Sequence, residues 1–306
     1  MKVIIAGGTG LLGHALAKDL IQDEHEVIIL SRNPKPMPDT PSGISFVKWD
    51  GRTAQGWGNL VDGASAIVNL AGENLSAGRW TSSRKQRILD SRVNAGKAIT
   101  SAIEAAENKP GVVIQSSAVG YYGIRKAKGL TEAAPAGDDF LAQVCQAWEA
   151  STQPVEALGV RRCVIRSAVF LTPKAGVLPR FLLPFKFFVG GPLGSGNQWL
   201  PWIHLQDAVR AVRFMVETET CSGAYNLIAP QQVTNRQFVK ALGRVMHRPA
   251  IIPVPALVLR LLFGEMSVMV LEGQNLSVER LLRSGFTFQF PEIEAALSDL
   301  LIGNRE

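Results

Sequence analysis

With 306 residues, 46% of them hydrophobic and 19% charged, the chain can bury a sizeable core as one large α/β domain or two lobes sharing a core. Its three cysteines (Cys145, Cys163, Cys221) are odd in number and far apart, and its four histidines are scattered. This argues against a disulfide framework or a metal site and suits a reducing compartment. The net charge of +6 is spread along the chain without interleaved aromatics, which fits an anionic small ligand and gives no nucleic-acid signature.

The opening MKVIIAGGTG has too short an apolar run for a signal peptide. The longest apolar stretches, FLLPFKFFVGG and PALVLRLLFG, are broken by Pro184, Lys186 and Arg260. None reaches the roughly 20 residues of a membrane span. A cytoplasmic protein without a membrane partner is expected.

Along the first half, short Val/Ile-rich runs alternate with amphipathic stretches. KVIIAG, EVIILSR, ISFVKW, SAIVNLAG, GVVIQSSA and RCVIRSAVF read as strands; LLGHALAKDLIQDE and SRVNAGKAITSAIEAAE read as helices. Unbroken apolar strands between helices predict a doubly wound parallel sheet covered on both faces, with ligands at the C-terminal ends of its strands. From about residue 170 the texture changes. LTPKAGVLPRFLLPFKFFVGGPLGSGNQWLPW reads as an irregular, aromatic-lined lid or pocket wall, with Trp199, Trp202, Phe185 and Phe187 serving either a substrate or plain packing. HLQDAVRAVRFMVET reads as a helix, GAYNLIAP as a strand and PEIEAALSDLL as a final helix. The predicted division is a dinucleotide domain over residues 1–170 and a smaller substrate lobe over 171–306, with about 204–230 returning to the sheet.

GGTGLLG follows the first strand at once and opens the first helix. Gly7 permits the tight turn, Gly10 a close backbone approach to a pyrophosphate, and Gly13 helix–strand packing. Thr9, Leu11 and Leu12 complete the turn, whose helix-start amides point at phosphate. An NAD site would place a carboxylate at the end of the second strand. Here stand Ser31 and Arg32, a hydroxyl and a guanidinium suited to a 2′-phosphate, so NADP is favoured over NAD. Asp50 is a candidate contact for the adenine edge.

GGTGLLG, NLAG (69–72), VVIQSSA and GPLGSGNQWLPWIHLQDAV together resemble the extended short-chain dehydrogenase/reductase superfamily, in its Rossmann form. NLAGENL, RW (79–80), SSAVGYYG, WE (148–149), GGPLGSGNQWLPWIH and GQ (273–274) resemble its atypical branch, the epimerase family proteins, which are NAD-dependent epimerase/dehydratase-like and carry their own C-terminal domain. The likeness spans nearly the whole chain. It implies that Leu70, Ala71, Gly72 and Ser116 lie along the cofactor, that Val169 packs against the nicotinamide, and that Ser117 bonds the substrate oxygen. Arg92 falls where the superfamily often keeps an asparagine; it reads either as a phosphate contact or as an exposed arginine.

The pattern also breaks. The helix that carries Tyr-xxx-Lys in the superfamily reads FLAQVCQAWE, with Leu141 and Cys145 at the tyrosine and lysine positions. Neither can do the job that tyrosine and lysine do in the superfamily. Tyr122 and Lys126 have the right spacing but sit in a loop, so the spacing reads as accidental, while Tyr122 is kept as a pocket aromatic and a substitute proton donor beside Ser117. His204 and Asp207 read as structural, at a helix start. Two functions stay open: an NADP-dependent oxidoreductase or epimerase acting on a small carbonyl or sugar-like substrate, and a non-catalytic NADPH-binding sensor or interaction module. A homodimer is also compatible with the resemblance.

Overall fold

The computed structural model describes residues 1–35, 40–125 and 127–303. Six parallel strands come first: β1 (Lys2–Ala6), β2 (Glu26–Ser31), β3 (Ile44–Lys48), β4 (Ala66–Asn69), β5 (Val112–Ala118) and β6 (Arg161–Ser167). Short strands β7 (Val169–Leu171), β8 (Trp199–Leu200) and β9 (Trp202–His204) follow; β10 (Gly223–Leu227) then pairs with β6 as the seventh sheet strand, and β11 (Val233–Thr234) pairs with β8. The order across the sheet is β10-β6-β5-β4-β1-β2-β3, the expected doubly wound arrangement. Winding reverses between β1 and β4, which opens the ligand crevice at that point.

The strands read as unbroken apolar runs because each face meets helices. Ile5, Ile29, Ile114 and Ile165 face α1 (Leu11–Gln22) and, later in the chain, the helix carrying Ala208 and Val212. Ile4, Ile28, Ile67 and Val113 face α2 (Ser82–Ala105) through Ile99 and Ile103. Each such side chain contributes roughly 1.5–3 kcal/mol of burial. Helix α2 starts earlier than its apolar periodicity suggests, because Thr81 caps it by accepting from the Arg84 amide. Helix α3 (Phe140–Ala150) follows, capped by Asp139.

The segment after β7 is more ordered than an irregular lid. It forms α4 (Leu178–Lys186), with Pro179 in the first turn, where proline is tolerated. Pro184 removes one helical bond, and the helix ends at Phe187, followed by Phe188 at φ +62°. Helix α5 (Leu205–Glu217) packs on α1 beside the sheet. The remaining lobe holds α6 (Asn235–Met246), α7 (Ala256–Phe263), α8 (Val268–Leu271), α9 (Glu279–Arg283) and α10 (Ile293–Ser298). Phe238, Leu242, Leu297 and Trp202 form its core.

A strap, residues 273–277, ties this lobe to the sheet's loops. A Cβ at Gly273 would stand 1.8 Å from the Trp199 carbonyl oxygen. Gln274 Nε2 donates to the Gly123 carbonyl at 2.6 Å, and Asn275 Oδ1 accepts from the Gly129 amide at 2.7 Å. Among the described residues no helix is long and apolar enough to cross a membrane.

Candidate functional site

Gly7 sits at φ +78°, and a Cβ there would stand 2.8 Å from the Leu70 carbonyl and 2.9 Å from the Ala71 nitrogen. Only glycine therefore lets the turn after β1 close on the end of β4, at the point where the winding reverses. Gly13 plays the packing part: its added Cβ would meet Gly8 Cα at 2.7 Å. The Gly10 amide donates to the Gly7 carbonyl at 2.9 Å, and no side chain caps α1. The first-turn amides at Leu11, Leu12 and Gly13 thus face the crevice mouth for an anion. Thr9 is exposed, whereas the Leu12 side chain is buried in the core and only its backbone is free to contribute.

At the end of β2, Ser31 Oγ donates to the Asn33 carbonyl (3.0 Å) and accepts from its amide (3.2 Å), holding a local turn. Arg32 is exposed and has no ion-pair partner among the described residues. Asp50 spends its carboxylate on the turn after β3, accepting from the Arg52 and Thr53 amides and the Thr53 hydroxyl. Those bonds, led by the Thr53 amide, hold its pKa below the usual range.

On the β4 side, Asn69 Nδ2 bonds Gln115 Oε1 (2.9 Å) and Asn69 Oδ1 accepts from the Ala71 amide (3.3 Å), fixing the loop Leu70–Gly72. Arg92 lies beneath it. The guanidinium is buried, donates from one nitrogen to the carbonyls of Glu73 (3.1 Å) and Ile88 (3.0 Å), and stacks on Trp148 at 4.8 Å. Its Cζ would be 3.0 Å from a Cβ at Gly72. No carboxylate bonds it among the described residues: Glu73 is ion-paired with Arg84 instead. Burial pushes the Arg92 pKa down to about 10, the mark of a cation lacking a full counter-charge. The exposed-arginine alternative falls away.

The end of β5 departs most from expectation. Strand alternation points Ser117 towards α3, where it is 1% exposed and its hydroxyl donates to Glu149 Oε1 at 2.7 Å. Glu149 accepts two further bonds from Arg166, Nε to Oε1 at 2.9 Å and Nη2 to Oε2 at 3.0 Å. Arg166 Nη1 then donates to Tyr122 OH at 3.1 Å and to the Glu132 carbonyl at 3.0 Å. Tyr122 OH donates to Asn226 Oδ1 at 2.6 Å. Burial works against the Arg166 charge, but the bonds and charge of Glu149 outweigh it and raise its pKa. Burial likewise raises the Tyr122 pKa, against the pull of Arg166 and Asn226.

Tyr122 is 0% exposed and packs in the core rather than on an open pocket wall, its hydroxyl held between Arg166 and Asn226. In this arrangement the Ser117 hydroxyl proton goes to Glu149. The first member of each pair remains available. Ser116 and Tyr121 are only partly buried, and neither hydroxyl has a hydrogen-bond partner among the described residues. The Tyr121 ring covers Arg166 at 3.4 Å. Lys126 lies outside the described residues.

Leu141 and Cys145 occupy the helix face against the SSAVGYYG loop, 3.3 Å (Leu141 Cβ) and 4.0 Å (Cys145 Sγ) from a Cβ at Gly120. Burial pushes the Cys145 thiol up to about 11, so it is inert. Val169 is partly buried against the C-terminal core, its amide bonded to the Pro201 carbonyl at 3.2 Å. His204 and Asp207 do not bond each other. His204 Nδ1 caps α5 through the Gln206 amide (3.1 Å), and Asp207 receives the amides of Gln289 (2.9 Å) and Phe290 (2.8 Å). Arg166, Glu132 and Asn226 are not legible in the sequence, and Glu149 only as part of the WE pair; the register that sets Ser117 opposite Arg166 is invisible without the sheet.

The model of the NAD dependent epimerase/dehydratase family matches residues 3–227, and that of a domain of unknown function, DUF1731, matches residues 254–300. The epimerase family protein YfhF of Bacillus subtilis is 40% identical over 302 residues, 98% of each chain. The crystal structure of human epimerase family protein SDR39U1 (isoform 2) with NADPH superposes with a TM-score of 0.89 at 35% identity, covering 98% of this chain and 99% of that one. A nucleoside-diphosphate sugar epimerase from Corynebacterium glutamicum gives a TM-score of 0.76 at 31% identity, over 98% of this chain and 58% of that one. The chain belongs to the NAD dependent epimerase/dehydratase family and carries the C-terminal domain of the epimerase family proteins.

Proposed function

We propose that this protein binds NADP(H) in the crevice between β1 and β4 and acts as an oxidoreductase or epimerase on a small carbonyl or sugar-like substrate. The carrying observation is the closure of the Gly7 turn on Leu70–Ala71, with uncapped amides of α1 beside it. The fit extends to Arg92, a buried cation with no carboxylate bonded to it among the described residues. NADPH in the human relative supports the same reading. Gly7 to Gly13, Leu70 to Gly72 and Arg92 would hold the pyrophosphate region, Ser31 and Arg32 the ribose phosphate, and Val169 the nicotinamide end. The dinucleotide, when bound, supplies hydride transfer at that end.

The protein's own part in the chemistry is to give or take a proton. Ser116 and Tyr121 are the residues we assign to it, since their hydroxyls are accessible and uncommitted. Calorimetric titration with NADPH and NADH tests the cofactor. NADPH should bind tighter, and Arg32→Asp should cut the preference about tenfold by removing a charge-assisted contact; an unchanged ratio overturns the ribose assignment. NADPH oxidation over a panel of carbonyl compounds tests the chemistry. Tyr121→Phe should lower kcat by about 100-fold and Tyr122→Phe only through stability. Locking of Ser117 and Tyr122 in an ion-paired network favours a second reading, a non-catalytic NADP(H)-binding module, which predicts no turnover in any variant.

A further inference from the structure

We infer that the C-terminal lobe docks onto an anionic lipid surface through one apolar, cation-bearing face. Of 16 large hydrophobic side chains exposed among the described residues, 12 fall within residues 183–189 and 251–269. Phe187 is 69% exposed, Ile251 75%, Leu257 67% and Leu261 68%. These are not isolated accidents of a soluble surface, because the fold gathers them. The Ile252 amide donates to the Gly190 carbonyl and the Gly194 amide to the Val254 carbonyl, setting Phe187–Val189 beside Ile251–Ile252. Pro253 and Pro255 lead straight from there into α7, on which only Leu259 is buried.

Charge identifies the occupant. Residues 173–206 and 220–264, which carry nearly all of this face, contain eight Lys or Arg and not one Asp or Glu; the acid within the rest of its span, Glu265, is ion-paired with Lys85. Lys186, Arg248 and Arg260 are exposed among the apolar side chains, and Arg248 covers the Phe188 ring at 4.3 Å. A shallow hollow lined by Lys240, His247, Arg248 and Ile251 adjoins them, although the neighbouring Arg244 spends its charge on Glu294. Cations with apolar stems around protruding Leu, Ile and Phe match a negatively charged headgroup layer over acyl chains. A second copy of the same face would bring like charges together. The expectation of no membrane partner rests on the lack of a spanning stretch, and a helix lying in the interface need not cross the bilayer.

The test is co-sedimentation of the full chain with vesicles of phosphatidylcholine alone or of equal parts phosphatidylcholine and phosphatidylglycerol. Binding is expected to the mixed vesicles only, and to weaken with salt. Lys186→Gln with Arg260→Gln should reduce it roughly thirtyfold, since each basic residue near such a surface contributes about a kilocalorie. Phe187→Ser with Leu261→Ser should abolish it, while the thermal midpoint of both variants stays unchanged because every altered side chain is exposed. Failure to bind either vesicle, or equal binding to both, overturns the proposal. So does a concentration-dependent dimer in sedimentation velocity that the same substitutions dissociate without any vesicle binding; the face would then belong to a second copy.

Discussion

The two sides of the crevice treat their polar groups in opposite ways. At the β1–α1 turn and the β4 loop facing it, donors are left open: helix amides without a cap, an exposed Arg32, and Arg92, bonded among the described residues only to carbonyls. At the end of β5, polar groups satisfy one another in a closed chain from Ser117 through Glu149, Arg166 and Tyr122 to Asn226. An open set of donors waits for a ligand; a closed set holds a structure. The same crevice therefore pairs a side whose donors are free for a ligand with a side whose hydroxyls already hold one another in place.

Breaking the closed side should have the largest effect. Glu149→Ala leaves the Arg166 guanidinium buried without its counter-charge, and should cost roughly 3–5 kcal/mol in denaturant unfolding. A loss below about 1 kcal/mol would mean that the network is not structural. The open side is sharpened by Gly13→Val, whose side chain cannot fit against Gly8 and Gly7. NADPH affinity should fall about 100-fold, some 2.7 kcal/mol, while Glu149→Ala protein that remains folded keeps its affinity. If both variants lose the cofactor equally, the two sides are not separable.

A smaller effect concerns acid. Burial lowers the His204 pKa against the opposing charges of Asp299 and Asp207. The unfolded chain then takes up a proton near pH 6.5 that the folded one refuses. Stability is complete above that value and falls as pH drops below it, because protonating Nδ1 would break the cap on the Gln206 amide. Denaturation followed from pH 7.5 to 5.5 should show a decline of about 1 kcal/mol that His204→Asn, a neutral cap, removes. A decline identical in that variant would assign the effect to other groups.

The sheet was legible because strands buried on both faces leave a contiguous signature. All six early runs appear where the Val and Ile cluster, and the GAYNLIAP run supplies the seventh sheet strand. Helix α4 was not, since Pro179 and Pro184 look like breakers although one sits in a permissive first turn and the other near the end. The glycine cradle could be read from spacing, being local to seven residues. The network around Ser117 and Tyr122 could not be read, for a non-local reason. Their partners Glu149, Arg166 and Asn226 come from α3, β6 and β10, and only the register of β5 on β6 shows that Ser117 turns towards them while Ser116 turns away. In SSAVGYYG the outward-facing member of each doublet is the first, which no motif comparison reveals.

The strap at 273–277 bears on how the gene can be cut. Gly273 fits only because it has no side chain, and Gln274 reaches back to a carbonyl beside the tyrosine doublet. Trimming the protein before residue 254, at the seam between its two family segments, would strip a cover from the crevice's own loop. The expected product is an unstable fragment, so the tail must be expressed with the rest and cannot be traded between relatives as a cassette.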